Sequence, residues 1–339
     1  MKERISYTHS ALASARRCLT EFDLRYLQRL ELGEQESEAL QVGSAWHAAH
    51  DIHAKEGVAS AFAACHALAP SELWGEKLAR MFAANLWYWA EQPLKIIESE
   101  QMFTVERNGV TYRGQLDGVV EIGGRRGLLE RKTTGEGIGD EDGYWNRLRM
   151  DVQVGLYALA LSSERPDQIP QMPSFILYDV ARKPTINPKS LAKADAKRLR
   201  AELEKNGAAL YFQESFDPPE VETSLHSGRE TIAMYGARLT ADIGNRPGYY
   251  FARREVPRTR ADYETLQENV EDQVRLIEHA RENGLLHRNP DACSSFGQCA
   301  FFRLCSNNIR PKAGDVPPEG FHVRAHLHPE LARHEPPAQ

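Results

Sequence analysis

The 339-residue chain has no apolar run of the roughly 18 residues a bilayer-spanning helix needs. Its first residues, Met1-Lys2-Glu3-Arg4-Ile5-Ser6, carry no apolar stretch of the kind a secretory signal requires, so a cytoplasmic setting without membrane partners is expected. Cysteine is scarce: there are five, too few and too unevenly placed for the disulfide framework of a small secreted domain. Basic charge is not in excess either, since 42 Lys and Arg stand against 48 Asp and Glu, a net charge of -6. That excludes a uniformly basic nucleic-acid coat protein. It leaves room for an enzyme with a local basic track. No internal repeat is visible, so a solenoid is not expected. What is present is ordinary for a globular protein, 41% hydrophobic and 27% charged, enough for one large domain or two modest ones.

Three regions are expected. Residues 1–95 read as a helical region: a helix and arm over 8–30, then Ala-rich helical periodicity from Glu38 to Ala90, interrupted at Pro70 with Ser71 as N-cap. Residues 96–305 read as a mixed α/β core. Met102–Glu106 and Thr111–Ile122 form strands around an Asn108-Gly109 hairpin, and Gly123-Gly124 turns the chain into Gly127–Lys132. A helix follows over Arg149–Leu161, then strands at Pro173–Ala181 and Gly248–Arg254 around a basic helical stretch, Ala192–Lys205. A long polar helix spans Asp262–Asn283. Residues 306–339, rich in Pro and His, are expected as a loosely packed tail in which His322, His326, His328 and His334 have no role.

Chemistry concentrates at the strands. Residues two apart share a strand face, so Glu130 and Lys132 project together, and pairing of the strands brings Asp117 to them. Two carboxylates suit a hard divalent cation, and a neighbouring lysine can orient water or offset charge on a phosphate. A lone Glu-x-Lys is more often a solvated ion pair. Here it has company. His47 lies early on a helix in Gly43-Ser44-Ala45-Trp46-His47, with a small residue one turn before it. Gln153 and Tyr157 are four apart and share a helix face.

The ordered series Gly-x-x-x-His, Asp, Glu-x-Lys, Gln-x-x-x-Tyr resembles the RecB-like branch of the PD-(D/E)XK nuclease superfamily, which includes the RecB and AddB nuclease domains and the CRISPR-adaptation exonucleases. Tyr144-Trp145, Ile176–Pro184 and Tyr249–Pro257 resemble stretches of its phage-encoded members. The resemblance implies a restriction-endonuclease-like fold, a mixed central sheet flanked by helices. It implies Mg²⁺ or Mn²⁺ held by His47, Asp117, Glu130 and the backbone carbonyl of Arg131. Lys132 would orient or activate water, with Gln153 and Tyr157 positioning the lysine or the DNA. DNA ends or single strands are the implied substrate, exonucleolytic cleavage the favoured form, and recombination or CRISPR-adaptation proteins the implied partners.

Cys293, Cys299 and Cys305 crowd near the end of the chain, and with Cys18 they supply the four thiolates of a [4Fe–4S] cluster. Some RecB-like nucleases split their cysteines in this way. The spacing here is wider than the usual C-x-x-C start, and four-cysteine zinc is the alternative. Cys65 is left over as a buried thiol. Trp145, Arg182, Lys183, Arg253 and Arg254 are weaker candidates for DNA contact. Two other readings stay open: a DNA-binding or recombination accessory protein with a silent site, and a zinc hydrolase centred on His47 and His50. In the nuclease reading His50 and His53 sit on a polar helix face.

Overall fold

The computed structural model describes residues 5–33, 37–157, 173–295 and 297–332. A sheet forms its centre. Strand β1 (Ser6–Tyr7) precedes helices α1 (His9–Arg17) and α2 (Leu19–Phe22), and a short β2 (Leu30–Leu32) follows. Helices α3 (Glu38–Glu56), α4 (Val58–Ala67) and α5 (Glu72–Tyr88) lead into the long antiparallel strands β3 (Lys95–Arg107), β4 (Val110–Ile122) and β5 (Arg125–Thr134). Then come α6 (Tyr144–Leu148) and a helix from Gln153, α7, described over 153–157. The last residues expected in it, 158–161, lie outside the described residues.

Strand β6 (Phe175–Arg182) is followed by α8 (Lys193–Asn206), a hairpin of β7 (Ala209–Tyr211) and β8 (Glu214–Phe216), α9 (Pro218–Ser227), α10 (Ile232–Asn245) and α11 (Pro247–Tyr250). Strand β9 (Phe251–Pro257), α12 (Arg260–Asn283), α13 (Phe302–Ser306), β10 (Phe321–Val323) and α14 (Pro329–Ala332) follow. The sheet order is β1-β4-β5-β6-β9, with β3 on the other edge of β4. β1 runs parallel to β4 and β5 parallel to β6, whereas the pairs β3–β4, β4–β5 and β6–β9 are antiparallel. This is the mixed α/β sheet flanked by helices that the sequence implies.

Central placement follows from composition. In β6, Phe175, Ile176, Leu177, Tyr178, Val180 and Ala181 are all buried, so the strand is apolar on both faces. Beside it Gly127 is obligatory in size, because a Cβ there would meet the Phe175 ring at 2.2 Å. One sheet face packs Leu116, Leu128, Ile176, Tyr178 and Val180 against α1, α7 and α12. The other carries the cluster of α3, α4, α5 and α10 around Trp46, Leu78, Phe82 and Tyr235. Two helical layers thus close both faces of the sheet.

The C-terminal region differs from the loose tail expected. β10 pairs antiparallel with β2, Phe321 lying opposite Leu32, and Phe321 stacks on Phe301 at 5.8 Å. His328 is buried and hydrogen-bonds Ser6, its Nε2 lying 2.9 Å from the hydroxyl. Three strand residues and one aromatic ring suffice to anchor a segment whose Pro and His content reads as unstructured. His334 lies outside the described residues. Among those described, no helix is long and apolar enough to cross a membrane.

Candidate active site

Asp117 sits one residue past the middle of β4, and Glu130 and Lys132 sit on β5 beside it. The antiparallel register places Gly118 opposite Leu129, one step from Asp117 and Glu130. The Arg131 N–H donates to Asp117 Oδ2 at 2.7 Å, fixing the carboxylate against the neighbouring strand. From the helical layer, α3 delivers His47. Ser37 caps this helix, its side chain accepting from the Leu40 N–H. His47 Nδ1 lies 3.5 Å from Asp117 Oδ1.

A further member lies outside the sequence expectation. Glu100 on β3 lies across from Asp117, between the pairs Ser99–Gly118 and Gln101–Leu116. Its backbone has φ of 49°, a costly left-handed value for a non-glycine residue within a strand. Gln115 donates its amide to Glu100 Oε2, and Glu100 Oε1 is buried without a hydrogen-bond partner. Ligand atoms of His47, Glu100 and Asp117 all lie within 4.8 Å of one another, the single such donor group among the described residues. Glu130 stands at its side. Its Oε1 is 2.6 Å from Lys132 Nζ, and its Oε2 is buried and unpartnered.

Lys132 is held from three directions. Besides Glu130, its ammonium donates to Gln153 Oε1 at 2.7 Å and lies 3.8 Å from Asp151 Oδ2. Gln153 in turn donates its amide to the Tyr157 hydroxyl. Asp151, also unforeseen, starts α7 by accepting the Gln153 N–H at 2.9 Å. One residue therefore caps the helix and faces the lysine.

The electrostatics are those of a crowded acidic site. Burial, reinforced by the Asp117 and Asp151 carboxylates and opposed by Lys132, pushes Glu130 up to about 8. Burial and Asp117 raise Glu100 to about 7. Asp117 is lowered despite its burial, because His47 and the Arg131 N–H favour its charge. His47 is raised by Asp117 against burial. Lys132 also overcomes burial: Glu130 and Asp151 hold it protonated well above its ordinary range. Three carboxylates around one imidazole, with two buried oxygens lacking a partner, match the donor set of a hard divalent cation.

The histidines differ from expectation. His50 does not lie on a polar face. It is buried, its ring 4.8 Å from Trp46 and 5.1 Å from Phe82, and burial drives it well below its ordinary value. His47 groups with the carboxylates of Glu100 and Asp117, and His50 is not part of that group.

Trp145 and the basic candidates have intramolecular partners. Trp145 is 6% exposed, donates its indole N–H to the Ile138 carbonyl, and is covered by Arg254 at 4.2 Å. Arg253 binds Asp179 at 3.2 Å over the Trp89 ring. Arg182 lies 4.0 Å over Tyr249, and Lys183 donates to the Ala39 carbonyl at 3.1 Å.

Cys18, Cys293, Cys299 and Cys305 line one cavity of ≈ 180 Å³, although α2 and α13 come from opposite ends of the chain. The Asn289 N–H points at Cys18 Sγ, 3.4 Å away. No three of these thiols fall within 4.8 Å of one another. Tetrahedral zinc, with Zn–S about 2.3 Å, would need sulfurs roughly 3.8 Å apart. A cubane sets sulfide and iron between the thiolates and needs a wider spread. Cys65 is apart from them, buried on α4, its thiol pushed up to about 12 by burial.

A family model of the PD-(D/E)XK nuclease superfamily matches residues 6–306, and the chain belongs to that superfamily. Two solved structures align with it over most of their length. One is a provisionally assigned exonuclease from Eubacterium rectale, 11% identical, TM-score 0.43, covering 92% of this chain and 91% of that one. The other, SSO0001, is 12% identical with a TM-score of 0.29, covering 89% of this chain and 96% of that one. No curated protein matches the chain.

Proposed function

We propose that the protein is a divalent-metal-dependent deoxyribonuclease that hydrolyses phosphodiester bonds, in exonuclease form on DNA ends or single strands. The observation that carries this reading is the convergence of Asp117, Glu130 and Lys132 from adjacent strands with His47 and the Gln153–Tyr157 pair. His47, Glu100, Asp117 and Glu130, with the Arg131 carbonyl, would hold Mg²⁺ or Mn²⁺. Such an ion polarises the phosphate and lowers the pKa of a bound water.

The chain's own residues supply the remainder. The Lys132 ammonium donates hydrogen bonds to the incoming water and to a phosphate oxygen, offsetting charge as the water oxygen joins phosphorus and the P–O ester bond breaks. Being protonated, it orients the water and does not take its proton, which passes to solvent while the departing ester oxygen takes one from solvent. Gln153 and Asp151 fix the lysine, and Tyr157 fixes the Gln153 amide, so the ammonium is aimed before substrate arrives. The exonuclease form rests on the resemblance to RecB-like enzymes.

The test is digestion of 5′- and 3′-labelled single- and double-stranded DNA with Mn²⁺. Cleavage that requires the metal and is lost in Lys132→Ala bears the reading out, and the label gives polarity. A folded, metal-loaded wild type that binds DNA without cutting it would make the protein an accessory factor.

For the cysteine cavity we propose a [4Fe–4S] cluster with a structural role. Four thiolates from both ends of the chain meet there. A link that closes nearly the whole chain would restrict the unfolded state by about 5 kcal/mol in a simple chain-entropy treatment. Iron and acid-labile sulfide in equal amount, with broad visible absorption, is the expected result. Stoichiometric zinc without iron would overturn it.

A further inference from the structure

Between β6 and β9 the chain builds a small unit with its own core of Leu199, Tyr211, Phe216, Val221 and Met234. Its hairpin turns on two residues, Phe212 and Gln213, with φ of 45° and 69°. A tight hairpin turn of this hand favours Asn-Gly, because both positions need positive φ. A bulky aromatic there is an outlier that the surroundings must impose.

The surroundings do impose it. Arg80 of α5 grips Glu214 through both oxygens, at 2.5 and 3.0 Å, and the Tyr211 hydroxyl donates to Glu230 at 2.8 Å. Strand alternation sends Ala209 and Tyr211 inward and turns Leu210 and Phe212 out, 53% and 42% exposed. Lys189 lies by the outer face, its ammonium 6.0 Å from the Phe212 ring. Arg198 donates to the Leu210 carbonyl at 2.6 Å and to Glu202 at 3.0 Å. Lys193, Lys197 and Arg200 of α8 are exposed nearby in sequence. Glu202 is itself committed, to Arg198 and to the Leu210 N–H.

The connection to the active site is short. β5 and β6 are parallel, with Lys132 opposite Val180 and Thr134 opposite Arg182, so the chain leaves β6 at the end of the sheet where β5 carries Lys132. From Arg182 to Lys189 it can span at most about 24 Å.

We propose that the outer face of this hairpin holds an unpaired stretch of DNA, with a base stacked on Phe212 and adjoining phosphates met by Lys189 and Arg198. It rests on the DNA reading above and deepens it, naming where the strand is held away from the cleavage site. An aromatic ring among cations suits base and phosphate together. A protein partner would need a wider apolar face than two side chains provide.

The test uses Lys132→Ala protein, which cannot digest its ligand, with and without Phe212→Gly, and labelled oligothymidylate. Glycine accepts the positive φ, so thermal stability stays level or rises. Affinity for the single strand falls about tenfold. Equal affinity with and without Phe212 overturns the proposal while leaving the DNA reading intact. A parent that binds no DNA sinks both. Phe212→Trp gives a second measurement: its fluorescence is quenched by oligothymidylate, and an unchanged spectrum in a bound complex overturns the proposal.

Discussion

Glu130→Gln should stabilise the metal-free protein while abolishing cleavage. Glu130 is 1% exposed, and its carboxyl titrates near 8 against an ordinary 4.5. A group raised in the folded state contributes stability below its unfolded value and loses that contribution as pH climbs through the folded one. The loss therefore develops between about pH 4.5 and 8 and, at 1.36 kcal/mol per pKa step, reaches on the order of 5 kcal/mol as an upper figure. Glutamine mimics the protonated carboxyl and keeps an oxygen for Lys132, so it escapes that loss. Urea unfolding in EDTA at pH 5 and 8.5 measures it. Wild type and variant should agree within error at pH 5, and the variant should lead by about 2 kcal/mol or more at pH 8.5. Saturating Mn²⁺ should narrow the gap, because a cation at 100 times its dissociation constant adds about 2.7 kcal/mol to a protein that binds it. Identical pH dependence in the two proteins would refute the reasoning.

Glu100→Gln should raise the Mn²⁺ concentration for half-maximal cleavage at least tenfold, which a metal titration of initial rates measures. Phe301→Ala removes a 1%-exposed ring stacked on Phe321 and overlain by Arg25, and should cost about 3–5 kcal/mol in chemical denaturation. Cys18→Ser should lower the iron content of purified protein, whereas Cys65→Ser should leave it unchanged.

The residues legible in the sequence were those related by short spacing. Glu130 and Lys132 share a strand face, and Gln153 and Tyr157 share a helix face, whatever the rest of the chain does. Glu100 needed one more step. The Asn108-Gly109 turn pairs Arg107 with Val110, and counting seven residues back along each strand puts Glu100 opposite Asp117. A strand read as starting at Met102 leaves it out. Asp151 was hidden because a helix-capping aspartate carries no sign of the lysine it faces. His50 reads as polar by residue type, yet its position one turn from Trp46 puts it on the side of α3 that meets Phe82. The partners of Arg253 and Arg254 depend on the late strand β9 and could not be read locally. Positive φ at Phe212 likewise has no sequence signal, since the Arg80–Glu214 pair that holds the adjoining strand comes from a distant helix.

The pairing of β2 with β10 also dictates an order of assembly. Loop closure over nearly the whole chain is slow, and synthesis releases the N-terminal end first. Ser6 and Tyr7 must wait for β4, Leu30–Leu32 must wait for Phe321–Val323, and Cys18 must wait for the last three cysteines. Leu30–Leu32 are thus among the last residues to find their places. A nascent chain stalled before β10 would hold a finished Asp117–Glu130–Lys132 sheet with Leu30–Leu32 still unpaired.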